Sequence, residues 1–122
     1  MEANIKVGDY VRTTDGIDRV KSYKYRDEIE NGHTIWFEGR DYGLMFTDDE
    51  LYDYDPYVEN LIQCGDLLYV DIDNGYEGGI IVPRIAETLE ELERFKDIIK
   101  KGHWILKGIV THEQLHEIEF KL

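Results

Sequence analysis

The sequence is poor in several things, and each shortage excludes a class of protein. Cys64 is the single cysteine. No internal disulfide can form, which fits a reducing cytoplasm and leaves the fold to rely on its core. No apolar run approaches the roughly 18 residues that a membrane-spanning helix needs. The opening residues, MEANIKVGDY, lack the basic and apolar regions of a secretory signal, so the expected location is the cytoplasm. Basic residues are few: 14 Lys and Arg stand against 27 Asp and Glu, a formal net charge of −13. Phosphate backbones repel such a surface, so direct nucleic-acid binding is disfavoured. KSYKYR at 21–26 is the nearest thing to a basic patch, and acids follow it at once. There is no phosphate-binding glycine loop, no dinucleotide fingerprint, and no serine or cysteine in a nucleophile setting. Cys64 has no CxxC partner and reads as a small side chain packed on an apolar strand.

What is present describes a packed domain. The chain has 122 residues with 42% hydrophobic content, four Phe, nine Tyr, Trp36 and Trp104. A chain of this length buries roughly two-thirds of its unfolded surface without staples. The first half reads as strands. In IKVGDYVRTT, Ile5, Val7 and Val11 alternate with polar residues, and Asp15-Gly16 then offers a two-residue hairpin turn. IDRVKSYKY runs back, and Asn31-Gly32 offers a second turn into HTIWFEGR. At residues 62–68, IQCGDLL repeats IKVGDYV of 5–11 at an offset of 57, and Asn74-Gly75 supplies a turn after it. This is an internal repeat of a hairpin-opening unit, in which Gly-Asp turns the chain sharply into the strand. EGGIIVPRI is the return strand.

Residues 88–101, TLEELERFKDIIKK, form an amphipathic helix. Thr88 and Glu91 make a capping box. Leu89, Leu92, Phe95, Ile98 and Ile99 share a face, and Gly102 ends the helix. HWILKGIV (103–110) reads as a strand, THEQLHEI as a short helix and EFKL as a last strand. The expected fold is α+β and mainly β. It comprises two small SH3-like β-barrel units, residues 1–58 and 59–122, packed as one body, with the helix 88–101 inserted in the second.

His112-Glu113-x-x-His116 matches the zinc-hydrolase spacing, which puts two imidazoles on one helical face with a glutamate to activate water. Such a site also needs a third ligand. Only six residues follow the motif, so none is available downstream, and the spacing singles out neither His33 nor His103. The competing reading is structural: Thr111 caps the helix and Gln114 completes a capping box, with Leu115 and Ile118 facing the core and the histidines facing water. We therefore expect no metal and no cofactor, with His112 and His116 the weak candidates. DIDNGYEGG (71–79) has calcium-loop letters but the wrong glycine spacing, and reads as a hairpin turn.

The densest acid lies between Asp41 and Glu59, a stretch with seven acids and no Lys or Arg. We read it as a strand end followed by a loop broken at Pro56. Its core, Asp48, Asp49, Glu50, Tyr52, Asp53, Tyr54, Asp55, Tyr57 and Glu59, mixes carboxylates with tyrosines, a composition suited to meeting a basic protein.

Three stretches carry a resemblance: IKVGDYVRTTDG, ENLIQCGDLLYVD, and ILKGIVTHEQLHEIEFKL. Together they resemble a group of small uncharacterised phage and prophage proteins of Gram-positive bacteria. Where that group commonly has Lys-Glu-Gln-Phe-Glu, this chain has His112 to His116, and the helix 88–101 is a departure. The resemblance implies a phage origin and small β-barrels, and no known activity. The expectation is a non-enzymatic interaction protein acting in the bacterial host cytoplasm on a host or phage protein. A sharper version is an acidic nucleic-acid mimic that inhibits a basic defence nuclease, of anti-CRISPR or anti-restriction type; a zinc-dependent hydrolase is the third reading.

Overall fold

The computed structural model describes residues 1–73 and 79–121. The chain divides into two compact units, Met1–Leu61 and Ile62–Leu122. It is mainly β, with two antiparallel sheets and few helices.

In the first unit, β1 (Tyr10–Thr13), β2 (Gly16–Tyr25), β3 (His33–Phe37), β4 (Gly43–Phe46) and β5 (Leu51–Asp55) form one sheet. Their order is β4-β3-β2-β1-β5. A 3-10 turn, Asp48–Glu50, precedes β5, and another, Val58–Leu61, follows it. Inward positions alternate along each strand, as a sheet with one buried face requires. Val11, Val20, Ile35, Phe37 and Phe46 make the core with Ile5. Arg12 points away from that core yet is fully buried, and its Nη1 donates to the Leu61 carbonyl at 2.9 Å.

In the second unit, β6 (Leu67–Asp71) is central, between β7 (Ile81–Ile85) and β8 (Ile105–Val110). Helix α1 (Leu89–Lys100) packs Leu92 and Phe95 with Leu68, Val70 and Ala86. Thr88 Oγ1 accepts the Glu91 N–H at 3.1 Å, and Gly102 takes a φ of 78° just past the end. Leu89, expected in the core, is 73% exposed. At about 100° per residue it lies some 120° around the helix from Phe95, on the rim of the stripe.

The repeat is a repeat of structure. Gly8 and Gly65 have φ of 93° and 87°, a conformation cheap only for glycine. Asp9 Oδ2 accepts the Lys6 N–H at 3.0 Å, and Asp66 Oδ2 accepts the Gln63 N–H at 2.8 Å. In return the Asp9 N–H donates to the Lys6 carbonyl and the Asp66 N–H to the Gln63 carbonyl. The equivalence then runs further than the letters. Each first strand pairs with its hairpin return on one side and with the last strand of its unit on the other. The last pairing carries a bulge at the same place in both: Tyr52 is the extra residue opposite Arg12 and Thr13, and Lys107 opposite Tyr69 and Val70. Between the second and last strands of the module, the first unit inserts β3 and β4 and the second inserts α1.

Several expectations need correction. The first hairpin turns on Thr14-Asp15, with Gly16 (φ 116°) opening β2 rather than sitting inside the turn. The link from β2 to β3 spans residues 26–32 and is not a two-residue turn. Gly32 is needed there because a Cβ would meet the Arg26 carbonyl oxygen at 2.0 Å. Val7, expected to alternate inward, is 75% exposed beside the Gly8 turn. The expected last strand, EFKL, is helix as far as it is described, since α2 runs His112–Lys121. No Gly or Pro interrupts it, and extending a nucleated helix is easy. The turn at Asn74-Gly75, much of the calcium-like stretch 71–79, Leu122 and the side chain of Ile118 lie outside the described residues.

Candidate functional site

The acidic run is not a loop between units. It is built into the first unit as a 3-10 turn, the edge strand β5 and a second 3-10 turn. Part of its chemistry is spent locally. Thr47 and Glu50 form a capping box, with Glu50 Oε1 accepting the Thr47 N–H at 3.0 Å. Asp55 Oδ1 accepts from the Tyr57 N–H at 2.8 Å and the Asn60 amide at 3.0 Å. The Tyr54 ring packs on the core, and its hydroxyl accepts the Asn4 N–H at 3.0 Å. Asp48 Oδ1 lies 2.5 Å from His33 Nε2, and its Oδ2 lies 3.1 Å from the Met1 amine. The hydrogen bond from His33 and that from the amine hold the Asp48 carboxyl below its ordinary range.

What remains is presented outward. Asp49, Tyr52, Asp53 and Tyr57 are exposed, Tyr52 by 45% and Tyr57 by 62%, and Glu59 is half-buried. The bulge explains Tyr52: as the extra residue of an edge strand it has no partner on β1. The first unit carries 15 acids against 7 Lys and Arg, net −8; the second carries 12 against 7, net −5.

One constellation was not expected. His33 is 1% exposed and lies between Tyr23 and Asp48. Tyr23 Oη is 2.8 Å from His33 Nδ1 and accepts the Ala3 N–H at 3.1 Å. Burial raises the Tyr23 phenol's pKa, so it stays a donor. The self-consistent arrangement has the Tyr23 O–H donating to Nδ1 and the Nε2–H donating to Asp48. A signal existed: His33 shares the inward parity of Ile35 and Phe37. The network joins β2, β3 and the turn before β5, and ties down the segment before β1.

At His112-Glu113-x-x-His116 the capping reading describes the geometry. The Thr111 N–H donates to Gln114 Oε1 at 2.9 Å, and the Gln114 N–H donates to Thr111 Oγ1 at 3.3 Å. His112 Nε2 lies 2.8 Å from Gln63 Oε1. Among the described residues, Asp66, His112 and Glu113 bring three potential metal-ligand atoms within 4.8 Å of one another. This is not the hydrolase arrangement, which uses both histidines and keeps the glutamate off the metal. His116 stands outside the group and is exposed. Asp66, at 1% exposure, already accepts the Gln63 and His112 N–H groups, the first as Asp9 does in the other unit. The group also sits at the positive end of α2, where a cation is disfavoured. Cys64 is half-buried against the second core.

No protein-family model matches the chain, and no curated protein or solved structure matches it either. The described helices include none long and apolar enough to cross a membrane.

Proposed function

We propose that the protein is a non-enzymatic interaction protein of phage or prophage origin that acts in the bacterial cytoplasm, and that the β5 edge of its first unit meets a basic protein. The observation that carries this is the division of labour within the acidic run. Asp48, Glu50, Tyr54 and Asp55 are held by internal bonds, which stiffen the edge. Asp49, Tyr52 and Tyr57 stand out from it, as does Asp53, whose Oδ1 also accepts the Tyr54 N–H at 2.8 Å. Tyrosine rings on a stiff edge contribute contact area at low entropic cost, and carboxylates beside them steer a cationic partner. The strand order, with a 3-10 turn before the last strand, supports the SH3-like barrel reading of the first unit.

A sharper reading is a nucleic-acid mimic that occupies the basic groove of a defence nuclease. The absence of Lys and Arg from Asp41 to Glu59 favours it, since a phosphate-like surface is dominated by negative charge. The test starts with affinity capture from a bacterial lysate at low and then high salt. Association of the captured protein is then measured against Asp49→Asn/Asp53→Asn/Glu59→Gln, a variant that spares the capping acids. On this reading the association rate falls at least tenfold at low salt and its salt dependence flattens. An unchanged rate with intact fold overturns it.

A further inference from the structure

The duplicated module allows its two outer faces to be compared position by position. On the face away from the core, the first unit carries Arg12, Arg19, Asp53 and Asp55. Pairing and bulge place Tyr69, Ile85, Gly108 and Val110 at the equivalent points of the second unit. At these four points one outer face carries charges and the other carries none; Asp71, paired with Ile81 at the end of β6, is buried and accepts the Asp73 N–H at 2.9 Å. The architecture therefore does not require apolar residues at these points. In the second unit, described apolar residues of that face are exposed: Ile81 by 56%, Ile85 by 44% and Tyr69 by 39%. Ile80 and Leu89, just before and after β7, are 51% and 73% exposed. A sheet apolar on both sides is the pattern of a sheet covered on both sides. Helix α1 covers one.

We infer that this outer face of β6 and β7 docks a basic amphipathic helix of a partner protein. Its charge surroundings select the occupant. Asp73 lies beyond the Ile81 end of the strip, and Glu87 and Glu90 follow its Ile85 end; the nearby cations are Lys107, at the bulge of β8, and Arg84 of β7, whose guanidinium lies over the Trp104 ring. A second copy would bring another −13 to the interface, and an anionic membrane would be repelled in the same way. Pro83, in mid-strand, has no N–H to give an added strand, so the occupant lies across the face rather than along the β7 edge. Three strands span about 14 Å and five residues of strand about 17 Å, room for about three turns of helix. This surface belongs to the other unit from the acidic edge, and the inference stands without the reading of that edge.

The test is a titration of the full isotope-labelled chain, followed by NMR, with two synthetic helical peptides. Both have leucines at i, i+3, i+4 and i+7; one carries lysines on its polar face and the other glutamates. The lysine peptide should bind saturably and shift the amides of β6 and β7, and the glutamate peptide should bind at least tenfold more weakly. Ile85→Arg, which introduces the residue type that the first unit carries at this point, should weaken the lysine peptide at least tenfold without moving the melting temperature. Tyr69→Thr should do the same to a smaller degree. Asp49→Asn/Asp53→Asn/Glu59→Gln should leave this binding unchanged while testing the other surface. Equal binding of the two peptides, indifference to Ile85→Arg, shifts confined to β5, or a dimer that Ile85→Arg dissociates would each overturn the inference.

Discussion

Asp9 and Asp66 occupy the same turn in the two units but carry different loads, which makes their replacement by asparagine a sharp test of the module. Asp9 uses Oδ2 to accept one backbone N–H, from Lys6. Asp66 uses both oxygens: Oδ2 accepts from Gln63 at 2.8 Å, and Oδ1 accepts from His112 at 2.9 Å. Asparagine keeps one carbonyl oxygen and replaces the other with a donor. At Asp9 that oxygen can serve the single N–H, and the loss is the charge assistance, under about 1 kcal/mol. At Asp66, 1% exposed, an NH2 must face a backbone N–H. One bond to a charged acceptor is lost and a buried donor is orphaned, together costing about 2–4 kcal/mol. Urea unfolding at neutral pH resolves the two, because Trp36 reports on the first unit and Trp104 on the second. The expected order is Asp66→Asn far below wild type and Asp9→Asn near it, with amide exchange at the start of α2 accelerated only in the former. An equal or larger loss for Asp9→Asn would refute the argument.

Phe95→Ala should cost about 3–5 kcal/mol in the same assay, because the ring is 5% exposed and lies 5.3 Å from the Trp104 ring. Glu90→Ala, exposed on the same helix, should cost a few tenths. Asp48 and Asp18 should bend the pH profile in opposite directions. Hydrogen bonding from His33 lowers the Asp48 pKa, so its contribution is present above its ordinary value of 3.8 and lost as pH falls through the folded value. The melting-temperature deficit of Asp48→Asn should therefore shrink in acid. Burial raises the Asp18 pKa against the pull of Arg40, so its contribution is present below 3.8 and lost as pH rises. Asp18→Asn should thus be stabilising near neutrality and lose that advantage in acid. Metal analysis of dialysed, untagged protein should find well under one zinc per chain, since His112 and His116 do not share a ligand group; stoichiometric zinc that is lost in His112→Ala would contradict this.

The features legible in the sequence were those in which a residue type is dictated by local backbone chemistry. Gly8-Asp9 and Gly65-Asp66 could be paired because the turn needs a left-handed residue and then a carboxylate reaching back three positions. Thr88 and Thr111 were legible as caps for the same reason. The rest of the module was not, because a strand's register and its bulge are set by its neighbours. Leu51–Asp55 and Ile105–Val110 take the same place and the same bulge while sharing almost no residue types. EFKL alternates like a strand, but none of its residues stops a helix, and the helix that precedes it continues through Lys121. In the acidic run, composition identified candidate interface residues. It could not tell Asp48, bound to a buried histidine, from Asp49, which faces water.

That failure bears on how acidity should be read in this chain. A charge count treats all 27 carboxylates alike, yet Asp9, Asp66, Glu50 and Asp55 are structural acceptors of backbone or side-chain N–H groups. Selection for a stable turn or cap explains those acids and leaves nothing over for a partner. Side chains the fold does not use point to function, as does the contrast between faces that the fold treats as equivalent. The module can be built with charged residues at these outer points, as Arg19 and Asp53 of the first unit demonstrate, so the apolar face of β6 and β7 is not a consequence of its architecture. An exposed isoleucine pair on an edge strand is also a liability for aggregation, which Pro83 and the strong net charge both counter. A feature that needs such safeguards and could be replaced by arginine, as Arg19 shows, is best accounted for by something that covers it.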